Sequence, residues 1–303
     1  MNNKFQYGGM AVLEGVMMRG PELTALAVRK SDGTIHLEKE EVTPLLKRFP
    51  FLKWPLIRGT YVLIESMVVG VRMLNASANI ALEEEEEELS SWEIIITMAI
   101  SLGLAILLFM VLPTAIVHYT QHYLGGVVLQ NIAEGILRIA FFLIYVYFIS
   151  KMPDIARVFM YHGAEHKTIH TYENGEELTI ENARKYSTLH PRCGTAFLLI
   201  VMVVSILVFV MLGEGNLFYR IWSRLAVLPV VAGFSYEFLK FSGKYYNHHW
   251  LKFMIAPGLW LQNLTTRQPD DKQLEVAITA LRAVLHDKEN TRGQDTEGFI
   301  VSG

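Results

Sequence analysis

Apolar residues in this chain are gathered into blocks rather than spread evenly. Ile94–Val117 runs 24 residues without a charge, and Ile132–Ser150 runs 19 with only Glu134 and Arg138 charged. Gly194–Gly213 gives 20 uncharged residues, and residues 221–240 form a less pure block containing Arg224, Pro229 and Glu237. About 20 apolar residues cross a bilayer as a helix, so four spans are expected. His249–Leu264 is shorter and broken by Lys252, Pro257 and Gly258. It is expected to be re-entrant or interfacial.

Outside the blocks the periodicity changes. Residues 23–30 and 34–42 alternate around Ser31-Asp32-Gly33, the signature of a β-hairpin. Ahead of it GGMAVLEGVMMRGP reads as a glycine-punctuated strand. Residues 56–76 place apolar side chains at helical spacing with Glu65 as the one acid, an amphipathic helix. Asp270–Lys288 does the same with Leu274, Ile278, Leu281 and Leu285 on one side. The expected fold is therefore mainly α: a polytopic membrane helical bundle with a small N-terminal β unit and an amphipathic C-terminal helix. The divisions are a Gly-rich β unit (1–50), an amphipathic helix with an acidic linker at Glu83–Glu88 (51–91), the bundle (92–264), the C-terminal helix (265–288) and a disordered tail (289–303).

Composition agrees with a membrane protein: 51% of the 303 residues are apolar and mean hydropathy is +0.28. A net charge of −3 argues against a nucleic-acid surface, which needs a basic patch. One cysteine excludes an intrachain disulfide. Residues 1–20 lack a cationic start followed by an apolar core, so no signal peptide is expected. Lysine and arginine number ten in 1–92, six in 151–193 and eight in 240–303, with none in 118–131. The positive-inside rule then places both termini and the 151–193 loop in the cytosol.

That loop carries the chemistry. Between Pro153 and Thr195 lie four of the ten histidines, the cysteine and five glutamates. A helix from Pro153 puts His162, Glu165, His166, His170 and Glu173 within about 140° of one face. His162-x-x-Glu165-His166 sets two imidazoles at i and i+4, where both reach one tetrahedral ion, with a glutamate placed to take a proton from water. The same pattern occurs in inverted zinc-peptidase motifs. His170, Glu173, His190 and Glu237 are further candidate ligands. Cys193 would favour a borderline-soft metal such as zinc. Glu237 is an ionisable group inside a span, a functional candidate by default, with an interfacial pair to Lys240 or Lys244 as the alternative, and Tyr236 beside it reads as a partner for a site water or as an interface anchor. Glu14 or Arg19 would line the site if the N-terminal glycine-rich segment lies against it. No phosphate loop, dinucleotide fingerprint or nucleophile elbow is present.

Four stretches, GGMAVLEGVMMRGP, YHGAEHKTIHTYE, LHPRCGTAFLL and QPDDKQLEVAITALRAVL, resemble the bacterial YqhQ family of polytopic membrane proteins over roughly residues 5–288. The resemblance implies a multi-pass protein of the bacterial cell membrane and a predicted metal-dependent enzyme. It places the family's motifs on His162, Glu165, His166, His170 and Glu173, and on His190, Arg192 and Cys193. Two functions are consistent with these residues. One is a metal-dependent hydrolase acting on an amphiphilic or membrane-protein substrate, with Glu165 as base and His162 and His166 on zinc. The other is a non-catalytic insertion or assembly factor that docks other membrane proteins or the protein-conducting channel. Open metal coordination and a wet pocket would mark the first, a broad exposed apolar groove without an open site the second.

Overall fold

A computed structural model of the protein describes residues 7–41, 49–82, 91–213, 215–244 and 249–297. The acidic run Glu83–Glu88, His248, the His249 side chain and residues 298–303 of the expected tail lie outside the described residues. Four strands come first: β1 (Gly8–Val12), β2 (Gly15–Arg19), β3 (Leu23–Arg29) and β4 (Ile35–Glu41). Among the described residues ten α-helices follow: α1 (Ile57–Leu82), α2 (Ser91–Ile106), α3 (Leu112–Thr120), α4 (Gly126–Ile149), α5 (Pro153–Glu173), α6 (Ile180–Arg184), α7 (Gly194–Val210), α8 (Leu217–Lys244), α9 (His249–Thr265) and α10 (Asp271–Glu297). The backbone of α10 thus stays helical beyond residue 289, where the composition reads as a tail.

The strands form an antiparallel meander in the order β1-β2-β3-β4. The expected hairpin is β3–β4, turning at Gly33 with φ +87°. The glycine-punctuated segment is itself a second hairpin, with Val12 opposite Gly15 and the turn at Leu13-Glu14. Glu14 has φ +50°, a region rare for residues other than glycine. Its carboxylate accepts from Arg157 Nε at 2.5 Å and from the Tyr161 hydroxyl at 3.1 Å, which holds the turn against α5. Alternate strand positions face opposite ways. Val16, Met18, Ala25 and Ala27 meet Tyr161 and Ile169 of α5 and Leu274, Ile278 and Leu281 of α10. Met17, Leu26 and Val28 meet Met73 of α1. Each fully buried leucine contributes about 2 kcal/mol. The sheet is therefore clamped between α1 and the α5/α10 pair, and its exposed edge β4 carries Glu38, Lys39 and Glu40.

Among the described residues, three helices are long and apolar enough to cross a membrane: the continuous Ile95–Tyr123 run, α4, and Leu217–Ser242 of α8. The block expected as a span from Gly194 to Gly213 folds as α7, 17 residues long. That is about 25 Å against a hydrocarbon core of about 30 Å. α2 joins α3 through a π-turn at Leu107–Val111, just ahead of Pro113. Pro113 has no N–H for the Phe109 carbonyl, and Arg138 Nε donates to that carbonyl at 2.8 Å instead. Arg138 also donates to Glu134, which accepts in addition from Arg224 at 2.5 Å and Thr114 at 2.8 Å. All four side chains are buried, so this polar knot ties α3, α4 and α8 together.

A buried histidine and cysteine site between α5 and α7

α5 begins with Pro153 at its first position and Asp154 in its first turn, both favourable at a helix N-terminus. It ends at Asn174, followed by Gly175 at φ +75°, as the Asn-Gly pair predicts. Gly163 lets the helix press onto the chain after α9: a Cβ there would lie 2.0 Å from the Arg267 carbonyl oxygen. Arg267 N–H in turn donates to the Phe159 carbonyl. This contact brings the end of α9 against the histidine face.

Each ring on that face is held through one nitrogen. His162 Nδ1 donates to the Thr265 carbonyl at 2.8 Å, and His166 Nδ1 to the Thr188 carbonyl at 2.5 Å. Both therefore present Nε2 inward as a bare lone pair. His162 Nε2 stands 3.2 Å from Cys193 Sγ, and the two rings are 4.4 Å apart. The nitrogens of His162 and His166 and the sulfur of Cys193 all lie within 4.8 Å of one another. Cys193 caps α7, its sulfur accepting the Thr195 N–H, which sets the sulfur at the positive end of the helix dipole. A tetrahedral zinc ion with ordinary Zn–S and Zn–N lengths would separate sulfur from nitrogen by about 3.6 Å. The donor set and its carbonyl anchors fit such an ion, with a fourth position left for water or substrate.

A second trio, His170, Glu173 and His190, also lies within 4.8 Å, but its hydrogen bonds suit a different task. His190 Nδ1 accepts the Arg192 N–H at 3.3 Å. The neutral ring then carries its proton on Nε2, which makes no hydrogen bond among the described residues and stands 3.5 Å from Glu173. That nitrogen is a donor in this arrangement, not a ligand. Glu173 is further occupied by Arg192, and His170 Nε2 by the Leu189 carbonyl. Gln262 of α9 fixes the His190 backbone, accepting from its N–H at 2.8 Å and donating to its carbonyl at 2.9 Å.

Glu165 lies one turn after His162 and directly precedes His166, and it is 5% exposed. It accepts the Gly9 N–H of β1 at 3.0 Å. Burial pushes its carboxyl above the usual carboxylate range, with His162, His190 and the Gly9 N–H partly offsetting that push. Burial likewise pulls His166, His170 and His190 below the usual histidine value, which keeps them neutral. Glu165, His162, His166, His190, Arg192 and Cys193 line a cavity of about 320 Å³ closed on one side by Gly8–Ala11 of β1.

The structure thus brings together His162, Glu165, His166, His170, Glu173, His190, Arg192 and Cys193. It sends the other candidates elsewhere. Glu14 pairs with Arg157, and Arg19 with Glu65 at 3.2 Å. Glu237 is gripped by both arms of Arg58, and Tyr236 packs beneath Gly59 of α1. None of these four candidates lines the cavity. The glycine-rich strand does border the site, but through its backbone: the contact is the Gly9 amide. Thr188, Thr265 and Gln262 carry no sequence signal, since two of them act through main-chain carbonyls. Lys167 is another surprise, a buried amine donating to the Arg184 and Tyr186 carbonyls and so fixing the segment that presents Thr188.

Fold and site together define a membrane protein whose sheet-and-helix unit encloses groups able to hold a metal ion. The chain belongs to the family described as "Protein of unknown function (DUF1385)", which it matches over residues 54–287. It is similar to the "Uncharacterized protein YqhQ" of Bacillus subtilis (strain 168), 36% identical over 297 residues and covering 92% of each chain. No solved structure matches it.

Proposed function

We propose that the protein is a membrane-bound metal-dependent hydrolase whose site opens at the cytosolic face, the side assigned by the lysine and arginine counts. The observation that carries this reading is the convergence of His162 Nε2, His166 and Cys193 Sγ beside a buried carboxyl in a cavity with room for substrate. A zinc ion bound there supplies Lewis-acid polarisation of a substrate oxygen and makes water more acidic. Thr188 and Thr265 orient the two imidazoles. Glu165, its carboxyl raised above the usual carboxylate range by burial, takes a proton from water and returns it to the leaving group. His190 offers its Nε2 proton as a hydrogen-bond donor on the far wall. A non-catalytic assembly role would ask for an apolar groove without an open polar pocket, so the cavity beside Glu165 favours hydrolysis.

The test is metal analysis of detergent-purified protein. Wild type should hold bound zinc, His166→Ala should lose it, and Glu165→Gln should keep it while losing function in cells. Wild-type protein that holds no metal and rebinds none would overturn the reading.

A further inference from the structure

β1 is one edge of the sheet, with β2 as its neighbour on the other side. Along an antiparallel strand, residues alternate between exchanging both backbone bonds with the residue opposite and turning both groups outward. The Gly9 N–H donates away from β2, to Glu165 at 3.0 Å, so Gly9 belongs to the outward set. Ala11, two residues on, shares that direction, while Met10 between them pairs with Met17.

This edge borders the histidine and cysteine cavity directly. Gly9 and Ala11 line it together with His162, Glu165, His166 and Cys193. The Gly9 carbonyl and both backbone groups of Ala11 make no outward hydrogen bond among the described residues. They recur every second residue, about 6.8 Å apart. An extended polypeptide offers donors and acceptors at that same period from its own backbone, which is how peptides add to exposed sheet edges.

We propose that the substrate is an extended polypeptide that adds to β1 as a further antiparallel strand. This rests on the hydrolase reading above and names its substrate. The residue opposite Ala11 exchanges two hydrogen bonds with it. Two residues further along, the substrate residue opposite Gly9 donates its N–H to the Gly9 carbonyl. Its own carbonyl finds no donor there, because the Gly9 N–H is already spent on Glu165. That carbonyl is the one left to the metal-facing groups, and its peptide bond lies beside the Glu165 carboxyl. Val158 and Phe159, one turn before His162 on α5, give the substrate an apolar wall in the same cavity. Water oxygen bonds to the carbonyl carbon, the C–N bond breaks, and the amine nitrogen leaves with the proton passed on by Glu165. The products are a new carboxyl terminus and a new amino terminus.

β-Casein, an unfolded chain rich in apolar residues, is the probe, added to zinc-loaded protein in detergent. Glu165→Gln keeps an acceptor oxygen for Gly9 and removes turnover. In that variant casein should slow hydrogen exchange of the Ala11 amide about tenfold, the scale of one added hydrogen bond, and leave the amides of β4 unchanged. Wild type should cleave casein. Ala11→Pro, which an outward edge position accommodates, should keep its zinc and cleave about tenfold more slowly, the scale of one stranded carbonyl. Ala11→Ser, which retains the N–H, should cleave as wild type does. Ala11 exchange indifferent to casein, or cleavage unchanged by Ala11→Pro, would overturn the proposal. Fatty acid released from phosphatidylglycerol vesicles with casein left intact would overturn it too, while leaving the hydrolase reading in place. Casein protection of Ala11 in protein that binds no zinc would instead overturn the hydrolase reading and leave a polypeptide-binding edge.

Discussion

His162 Nε2 meets Cys193 Sγ at 3.2 Å although 31 residues separate them. The meeting depends on three fixings. Thr265 holds the imidazole from behind, α7 starts at Cys193, and Gln262 anchors the His190 backbone between them. If these groups form a metal site, zinc should shield the sulfur. Alkylation of Cys193, the one cysteine, should be slow in zinc-loaded protein and fast after chelation. An alkylation rate indifferent to zinc would remove Cys193 from the site.

The two histidine groups should separate by mutation. His162→Ala and His166→Ala each remove a nitrogen that faces Cys193, and metal affinity should fall at least tenfold, the scale on which a lost ligand-shell partner acts. His170→Ala removes a ring whose Nε2 is tied to the Leu189 carbonyl. It should retain stoichiometric metal. Equal metal loss in all three would show that the second trio also ligates.

Part of this site is legible in the sequence. Spacing alone puts His162, Glu165, His166, His170 and Glu173 on one face, because a helix has fixed geometry, and α5 has the expected start and stop. Partners that act through main chain are invisible: nothing marks the Thr188 and Thr265 carbonyls as the acceptors of the two imidazole N–H bonds. Glu14, Arg19 and Glu237 look like site residues because charge near apolar sequence is suggestive, yet long side chains can reach any opposite charge nearby, here Arg157, Glu65 and Arg58. The first hairpin is hidden because its turn uses Glu14 in a glycine conformation, held by contacts from α5 far along the chain.

Acid should loosen the metal-free protein. Burial lowers the folded-state pKa of His166, His170 and His190 below the ordinary 6.5. The unfolded chain therefore binds more protons as pH falls through about 6.5, and stability present above that value is lost below it. Glu165, raised above 4.5, works in the opposite sense: its contribution is present below 4.5 and lost as pH rises through its folded value. Three histidines against one carboxyl give a net loss between pH 7 and 5. Thermal unfolding of chelator-treated protein should show a falling Tm over that range, and a flat or rising Tm would contradict the assignment.

Gln262→Leu isolates the brace behind the site. The amide satisfies both the N–H and the carbonyl of His190, and it is fully buried. Leucine is similar in size but leaves two buried backbone groups unpaired, at roughly 1–3 kcal/mol each. The variant should melt at lower temperature and bind zinc more weakly. Unchanged Tm and affinity would mean that the 188–193 segment is held by other contacts.

Glu134→Ala tests the polar knot in the bundle, far from the chemistry. Glu134 is the carboxylate shared by Arg138 and Arg224, both nearly fully buried and both lying over the Phe209 ring. Removing one partner of a buried ion pair costs about 3–5 kcal/mol, because the remaining charge has nowhere to be solvated. Here two guanidiniums are stranded at once, and Thr114 loses its acceptor. Glu134→Gln keeps an acceptor oxygen but not the charge, and should fall between wild type and alanine. Thermal unfolding in detergent should rank the three proteins in that order. Zinc content per folded molecule should be the same in all of them, since no residue of the knot touches the histidine site. A glutamine variant as stable as wild type would show that hydrogen bonding, not charge, holds α3, α4 and α8 together.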